Sequence, residues 1–287
     1  MRRTLAAFLE MIQVQHSLFA LPWAFVGAFA AARGVPKADR IVWILIAMIS
    51  ARTAAMTFNR IADARIDAAN PRTKERAIPK GLIPIPPAAG VTAIMIAVFA
   101  LSAAMLNTLC LALAPVALAV LLGYSYTKRF TALCHFVLGL SLAMAPIGAW
   151  LGVRPVWSPL PLVLGTAVLF WIAGADILYA CEDFEFDRAH GIRSVPAALG
   201  ISRALVAARI CHGVALTALV TAGIVGGLGF LWYVGVCAIG LLLVYEHWLV
   251  KPDDLRRVNR AFFHVNAVVS LAILAAFLGD LWQRGRL

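Results

Sequence analysis

Charged residues are scarce in this sequence, and their scarcity excludes the usual kinds of soluble domain. Only 14% of the 287 residues are Asp, Glu, Lys or Arg, while 62% are hydrophobic and the mean hydropathy is +0.88. Soluble domains carry roughly 25% charged residues, so this composition predicts an integral membrane protein. The five cysteines and six histidines are scattered without the spacing of a zinc site, and we interpret the cysteines as small buried apolar side chains.

Apolar runs long enough to cross a bilayer dominate the chain instead. The first run follows a short basic segment without a cleavage pattern, so we expect it to be retained as a helix. The fold class we predict is an all-α integral membrane protein with nine transmembrane helices. Their expected positions are residues 12–32, 41–58, 88–106, 107–124, 133–152, 159–181, 204–226, 229–250 and 262–282.

The net charge of +11 is distributed by loop. Lys and Arg concentrate before the first predicted helix and in the loops after the second, fourth, sixth and eighth, with the loop at 33–40 as the exception. The positive-inside rule then places the N-terminus and these basic loops in the cytoplasm of a cell with the chain in its inner (plasma) membrane. We therefore attribute the positive charge to membrane topology and expect no binding of nucleic acid.

A row of polar side chains stands where the second predicted helix meets water. Asn59, Asp63 and Asp67 recur every four residues, so on a helix they lie on one face with roughly 6 Å between neighbours. Carboxylates in such a row suit Mg²⁺, which usually completes its coordination shell with phosphate oxygens.

A second acidic stretch, residues 176–187, follows the sixth predicted helix. Asp183 and Asp187 repeat the four-residue step, and Asp176 falls on nearly the same face. The alternative interpretation is that both stretches are ordinary solvated loops. The distribution of charge disfavours it, because seven of the fourteen acidic residues of the chain lie in these two stretches.

The two acidic motifs are 120 residues apart, which suggests an internal repeat. Residues 76–79, Arg-Ala-Ile-Pro, are similarly echoed by residues 193–196, Arg-Ser-Val-Pro. We predict one domain over residues 1–287, with pseudo-repeats of four helices at about 1–128 and 129–250, a final helix, and a central cavity. Membrane proteins with internal repeats often place their site at the interface between the repeats.

The motifs at 59–67 and 183–187, in a chain of nine helices, resemble those of the UbiA superfamily of intramembrane aromatic prenyltransferases. The segment Tyr-Ser-Tyr-Thr-Lys-Arg at 124–129 also looks like the segment of that superfamily after its fourth helix. The resemblance covers nearly the whole chain through helix count and topology. It implies Mg²⁺ as cofactor, a polyprenyl diphosphate as donor and a hydroxylated aromatic acid as acceptor, in a site shielded within membrane lipid.

The resemblance also implies roles for individual residues. The expected metal ligands are Asn59, Asp63, Asp67, Asp183 and Asp187, of which the four aspartates are catalytic. Cleavage of an allylic C–O bond leaves a charged diphosphate, and metal ions and cations stabilise it by several kcal/mol in a water-poor site. The available cations are Arg72, Lys74, Lys128, Arg129 and Arg193. Aromatic faces shield an allylic cation; the candidates are Tyr124, Tyr126 and Tyr179. The alternative for these tyrosines is an interfacial aromatic belt.

Arg52 stands inside the second predicted helix, on the same face as Asn59. An arginine within a membrane is costly and normally faces a cavity or a partner. One interpretation is that Arg52 binds the carboxylate of the aromatic acceptor, and the other is that it only neutralises a carboxylate structurally.

The sequence leaves the acceptor open. Superfamily members that act on 4-hydroxybenzoate typically carry an Arg-Pro pair in helix 1, whereas residues 16–22 here read His-Ser-Leu-Phe-Ala-Leu-Pro. Residues 51–60 and 70–73 look closer to the 4-hydroxybenzoate polyprenyltransferase-like branch associated with menaquinone made by the futalosine route, whose acceptor is 1,4-dihydroxy-6-naphthoate. The ubiquinone pathway is thus one option and the menaquinone pathway the other.

Two further hypotheses are another acceptor within the superfamily (haem, chlorophyllide or a glycerol phosphate) and a cation transporter. A transporter is expected to hold its acidic residues near the middle of the membrane on broken helices. Here all the clustered acids except Asp176 stand at helix ends beside Arg and Lys, which favours the enzyme.

Overall fold

The computed structural model describes Met11 and residues 17–287, and these residues are helical with no β-strand among them. Eight helices are long and apolar enough to cross a membrane, and a ninth, Phe19–Ala32, is apolar but shorter. The prediction of an all-α membrane fold is confirmed. The nine predicted helices correspond, among the described residues, to eight spanning helices and one shorter apolar helix. The start of the first predicted span, including His16, lies outside the described residues. The helices are α1 (Ser17–Ala32), α2 (Ala38–Ala62), α3 (Ala64–Ala69), α4 (Ile85–Leu106), α5 (Thr108–Thr127), α6 (Cys134–Val153), α7 (Pro159–Ala180), α8 (Phe184–Ala189), α9 (Val195–Leu199), α10 (Ile201–Gly226), α11 (Phe230–Leu249) and α12 (Asn266–Gln283).

Local sequence explains where several helices begin and end. Asn107 has an extended backbone that separates α4 from α5, and its side chain accepts a hydrogen bond from the backbone N–H of Cys110 at 2.9 Å, which caps α5. Helix α4 starts with prolines in its first turn, where their missing N–H groups cost nothing. Helix α10 ends at Gly227, whose left-handed backbone (φ 57°) favours glycine.

The main hydrophobic core lies among α1, α6, α7 and the helices α10 to α12. Close approach of α6 to α7 requires glycine, because a Cβ atom on Gly139 would collide with the backbone carbonyl of Leu169. By contrast α5 packs loosely. In its most apolar window 11% of residues are buried, against 61% for the span that contains α7. The loosely packed first half of the chain therefore has room for a cavity beside a more densely packed second half.

Large apolar side chains also cover the outer surface of the helices, as at Ile210, Ile224 and Leu241, which are more than half exposed. Exposed apolar faces on spanning helices are what a lipid environment accommodates. The chain is a multi-pass membrane protein.

Candidate active site

Asp63 is the C-terminal cap of α2 and the first polar anchor of the site. Its Oδ2 atom accepts hydrogen bonds from Lys128 Nζ at 2.6 Å and from Asn59 Nδ2 at 3.0 Å. The Asp63 side chain is buried, and Lys128 comes from the end of α5. Three residues of the predicted site thus meet at one point, because α5 returns to the membrane face at which α2 ends.

Asp67 lies in the short helix α3 and is also buried. Arg76 Nη1 donates to its Oδ1 at 2.7 Å, and Thr73 Oγ1 donates to its backbone oxygen at 3.0 Å. The turns after α3 therefore fold back over the first acidic motif and bring a cation to it.

Asp183 is held by residues from the other half of the chain. Arg72 binds both its carboxylate oxygens, with Nε donating to Oδ1 at 2.9 Å and a second contact from Nη2 to Oδ2. Asn70 Nδ2 donates to the same Oδ1 at 2.9 Å, and Arg72 Nη1 donates to the Tyr179 hydroxyl at 2.6 Å. The segment 70–72 therefore joins the first acidic motif to the second.

The charge of Arg72 is stabilised by this arrangement. Burial by itself lowers the pKa of the Arg72 guanidinium, but the hydrogen bond to Asp183 and the nearby Tyr179 more than offset burial and raise the pKa above its ordinary value. Arg72 is consequently a permanent cation at the junction of the two motifs.

Asp187 has a neutral partner. Ser194 Oγ donates to its Oδ2 at 2.8 Å, and the same hydroxyl accepts a hydrogen bond from the Ala197 backbone N–H at 3.3 Å at the start of α9. Ser194 therefore caps a helix and anchors a carboxylate at once.

The loop after α5 is tied to the second motif through main-chain contacts. The backbone N–H of Arg193 donates to the Lys128 oxygen at 2.7 Å, and the Arg193 guanidinium donates to the Phe130 oxygen at 2.7 Å. These bonds place Arg193 at the rim and leave its side chain bound to the neighbouring loop. Lys74 lies on an exposed turn next to Glu75, and no bond described in the structure joins it to the acidic motifs.

Tyr126, one of the predicted tyrosines, lies beside the first motif. The Arg129 guanidinium lies over the Tyr126 ring at 4.7 Å and donates to the Ala62 backbone oxygen at 2.5 Å. Phe58 meets the same ring edge-on at 5.8 Å. Tyr126 is itself exposed, so it stands at the mouth of the site.

An apolar cavity of about 360 Å³ extends from the site into the first half of the fold. Arg52 and Tyr124 line it near the acidic motifs, and apolar residues of α1, α2 and α4 to α6 form most of its wall. Trp157, in the loop after α6, lines its far end. On α5 alone the lining residues run from Tyr124 to Cys110, a rise of roughly 20 Å.

The residues present fit a divalent cation bound in combination with a phosphate ligand. Asp67 Oδ2 is a buried carboxylate oxygen without a hydrogen-bond partner, and Asp63 Oδ1 has only Arg129 Nη2 at 3.6 Å, beyond hydrogen-bond distance. Such atoms call for a cation. Among the described residues no group of three or more His, Cys, Asp or Glu side chains could by itself hold a metal. Mg²⁺ needs no such group, because it is commonly bound by one or two carboxylates together with substrate phosphates.

Several site residues were missed by the sequence analysis, namely Asn70, Arg76, Ser194, Phe262 and Phe263. Ser194 had a usable signal, since a serine before Val-Pro is a typical helix cap. The two phenylalanines had none. They lie in a π-helical turn before α12, and Phe262 stacks on Tyr179 with 4.6 Å between ring centroids.

Comparison with known proteins agrees with this geometry. Residues 20–268 match the model of the UbiA prenyltransferase family. The 4-hydroxybenzoate octaprenyltransferase of Nitrosospira multiformis is 30% identical over 260 residues, covering 90% of this chain and 88% of the relative. That of Alkalilimnicola ehrlichii is 29% identical over 262 residues, covering 91% and 89%.

Solved structures share the fold. The apo structure of a UbiA homolog from Aeropyrum pernix K1 has a TM-score of 0.84 and 32% identity, covering 93% of this chain and 98% of that one. A UbiA homolog from Archaeoglobus fulgidus bound to DMAPP and Mg²⁺ has a TM-score of 0.74 and 17% identity, covering 96% and 99%.

Spanning helices that carry two buried carboxylate motifs and enclose an apolar cavity define the class as an integral membrane enzyme. The chain belongs to the UbiA prenyltransferase family and is a prenyltransferase.

Proposed function

We propose that this protein transfers a polyprenyl group from a polyprenyl diphosphate to a hydroxylated aromatic acid in quinone biosynthesis, with Mg²⁺ as cofactor. The observation that carries the proposal is the junction at Asp183, where Arg72 and Asn70 of the first half join the second motif. An apolar cavity reaches the same half of the fold, with Arg52 and Tyr124 in its lining. One place in the fold thus combines carboxylates, cations and an apolar tunnel, the three features that a prenyl diphosphate requires.

The charged end of the donor is served by both motifs. Asn59, Asp63 and Asp67 on one side, with Asp183 and Asp187 on the other, are the residues that would hold Mg²⁺. When bound, the metal neutralises the negative charge that grows on the diphosphate as the C–O bond breaks. Further positive charge comes from the side chains that already pair with these carboxylates, and the groups with such contacts are Arg72, Arg76, Lys128 and Arg129.

The apolar end of the donor fits the cavity. Its lining is almost wholly aliphatic and aromatic below Arg52, and exposed side chains such as Ile49 and Val116 open it toward the lipid. An isoprenoid chain is transferred from lipid to such a lining without loss of apolar contact. The protein also keeps water from the reacting carbon there, which protects a developing cation.

Tyr179 and Tyr124 provide aromatic groups around the reacting centre. Tyr179 is held by Arg72 from one side and by Phe262 from the other, so its ring has a defined orientation. A fixed aromatic face beside an allylic cation is stabilising.

Arg52 is the residue we assign to the acceptor. It lines the cavity about 10 Å deeper than Asn59, below the level of the metal-binding carboxylates. A buried guanidinium binds a carboxylate by two parallel hydrogen bonds. The names of the curated relatives support 4-hydroxybenzoate as the acid, and the branch resemblance supports 1,4-dihydroxy-6-naphthoate; both carry the carboxylate that Arg52 would bind.

A transfer assay tests the proposal. Purified protein is incubated with Mg²⁺, geranyl diphosphate and each acid in turn, and the product mass is measured. We expect prenylated product from one of the two acids, complete loss of product in EDTA, and recovery with added Mg²⁺. Haem, chlorophyllide and glycerol phosphate acceptors are run in parallel. Product from one of them alone would overturn the aromatic acceptor, and full activity in chelator would overturn the metal-assisted mechanism.

The proposed orientation places both acidic motifs in the cytoplasm, with the membrane being the inner (plasma) membrane. Cysteine labelling tests it in a cysteine-free background, with Glu75→Cys and Glu185→Cys as the two probes, since both side chains are exposed. Both cysteines should react with an externally added, membrane-impermeant reagent only after the membrane has been permeabilised. Labelling of either one in intact cells contradicts a shared cytoplasmic site.

A further inference from the structure

Asp176 is a carboxylate on the inner face of α7 that the donor site does not use. It precedes Asp183 by seven residues, so it lies on the same helix face about 10 Å deeper in the membrane. Its side chain is 23% exposed, whereas its neighbours Ala175 and Ile177 are wholly buried. Tyr179 lies on this face too and touches Arg72, so the exposed side of Asp176 faces the site and not the packed core.

A histidine from the preceding helix, α6, holds this carboxylate in place. His135 Nδ1 and Asp176 Oδ2 are 2.6 Å apart, and the other ring nitrogen, Nε2, lies 3.1 Å from the backbone N–H of Val195. A backbone N–H can only donate, so Nε2 accepts and the ring proton resides on Nδ1. His135 therefore donates to Asp176 and keeps an acceptor oxygen of the carboxylate oriented.

The depth of Asp176 matches that of a ring bound by Arg52. Arg52 lies eleven residues before Asp63, about 16 Å along α2, and Asp176 lies about 10 Å before the equivalent Asp183 along α7. Asp176 and Arg52 therefore differ in depth by about 6 Å, which leaves room for an aromatic ring between them. Arg52 and Tyr124 line the same cavity, and Tyr124 lies near enough to Asp176 for their charges to interact.

We propose that Asp176 is the general base that removes the ring proton of the aromatic acceptor, and that His135 is the residue that positions it. The proposal rests on the proposed function. The allylic C–O bond breaks with its electron pair leaving on the diphosphate, and the ring forms a C–C bond to the allylic carbon. The C–H bond at that ring carbon then breaks, its electron pair restores aromaticity, and the proton moves to the Asp176 carboxylate.

A second carboxylate beside a histidine shows what a purely structural pair looks like in this fold. Glu246 is 0% exposed, accepts a hydrogen bond from Asn266 Nδ2 at 2.7 Å, and has His212 Nδ1 at 3.8 Å. It thus lacks the partial exposure of Asp176, whose side chain is 23% exposed. Glu246→Gln is therefore the matched control for Asp176→Asn, since each variant keeps an amide oxygen as hydrogen-bond acceptor and removes a carboxylate.

The test compares the two variants in the transfer assay with an acceptor deuterated at the ring position that is prenylated. Asp176→Asn should lower kcat by ~10²-fold or more, the usual contribution of a general base, with KM for geranyl diphosphate unchanged. Its deuterium isotope effect on kcat should exceed that of the parent protein, because proton removal has become slow. His135→Gln should raise the isotope effect with a smaller loss of kcat, and Glu246→Gln should change neither.

The proposal is overturned if Asp176→Asn keeps the parental kcat, or if it loses activity while the isotope effect stays at the parental value. Should Asp176→Asn fail to fold, Asp176→Glu replaces it, since a carboxylate displaced by one methylene should also raise the isotope effect; an unchanged effect there overturns the proposal as well. Failure of the proposed function looks different, because the parent protein would then transfer to neither acid.

Discussion

The two acidic motifs have the same backbone and different partners. Asp63 and Asp183 have nearly identical dihedral angles (φ −94°, ψ 4° and φ −96°, ψ 6°), and each is followed by a six-residue helix that buries a second aspartate. Yet the second aspartate of the first motif pairs with the cation Arg76, while that of the second motif receives a hydrogen bond from the neutral Ser194. Repetition of the backbone supports the proposed internal repeat, and the difference in partners indicates that the two copies now serve unequal tasks.

Charge is also shared unequally between the halves. The first motif has cations from its own loop and from α5, whereas Asp183 of the second motif depends on Arg72, 111 residues away. The loop at 70–76 thus serves both motifs. A diphosphate bound between them is surrounded by the cations of the first half, so we expect substitutions there to affect donor binding and those in the second half to affect it less.

The largest expected effect is a loss of turnover that is the same for substitutions in either motif. Asp63→Ala, Asp67→Ala, Asp183→Ala and Asp187→Ala should each lower turnover by at least ~10²-fold, because each removes a metal ligand and with it transition-state stabilisation of several kcal/mol. Turnover is measured in the transfer assay, and thermal unfolding in detergent serves as the folding control. Near-parental turnover in a folded variant would remove that residue from the metal site.

The next largest effect distinguishes the two arginines of the loop at 70–76 by their effect on KM for the donor. Arg72→Lys should raise KM for geranyl diphosphate by about tenfold, since a lysine cannot reproduce the fork that binds Asp183 on both oxygens and Tyr179 as well. Arg76→Lys, which replaces a single contact to Asp67, is the matched control and should raise KM less. Equal effects of the two changes would contradict the special position of Arg72.

Arg52→Lys should act on the acceptor alone. KM for the aromatic acid should rise several-fold while KM for the prenyl diphosphate stays nearly unchanged, because a lysine replaces two parallel hydrogen bonds by one point charge. Steady-state kinetics with each substrate varied in turn provide the measurement. A rise in the diphosphate KM instead would assign Arg52 to the donor, and a variant that fails to fold would favour a structural role.

The smallest effect tests the neutral partner of the second motif. Ser194→Ala removes one hydrogen bond to Asp187 and one helix cap, so it should destabilise the protein by about 1 kcal/mol. The readout is the midpoint of thermal unfolding, with Thr217→Ala, an exposed residue of α10 outside the site, as the control. A Ser194→Ala variant as stable as the parent would show that the cap contributes nothing to the second motif.

The sequence by itself determined the class of fold and the existence of two acidic motifs. Apolar runs of spanning length can satisfy their backbone in lipid only as helices, which is why spans such as 159–181 match α7 closely. The four-residue step of Asp63 and Asp67 is likewise a local property of a helix. The resemblance built on these motifs is confirmed by the family match, while the roles of individual residues stay predictions.

Only the tertiary structure decided which side chains meet. Lys128 reaches Asp63 across 65 residues, and His135 reaches Asp176 across 41, because helices far apart in sequence pack side by side. No local pattern encodes such partners, since they depend on how the loops return each helix to the same membrane face. For the same reason Arg193, predicted as a ligand for the leaving group, is found bound to the Phe130 loop. The spacing of residues along one helix determines which side chains share a face, and the packing of several helices decides which residues those side chains contact.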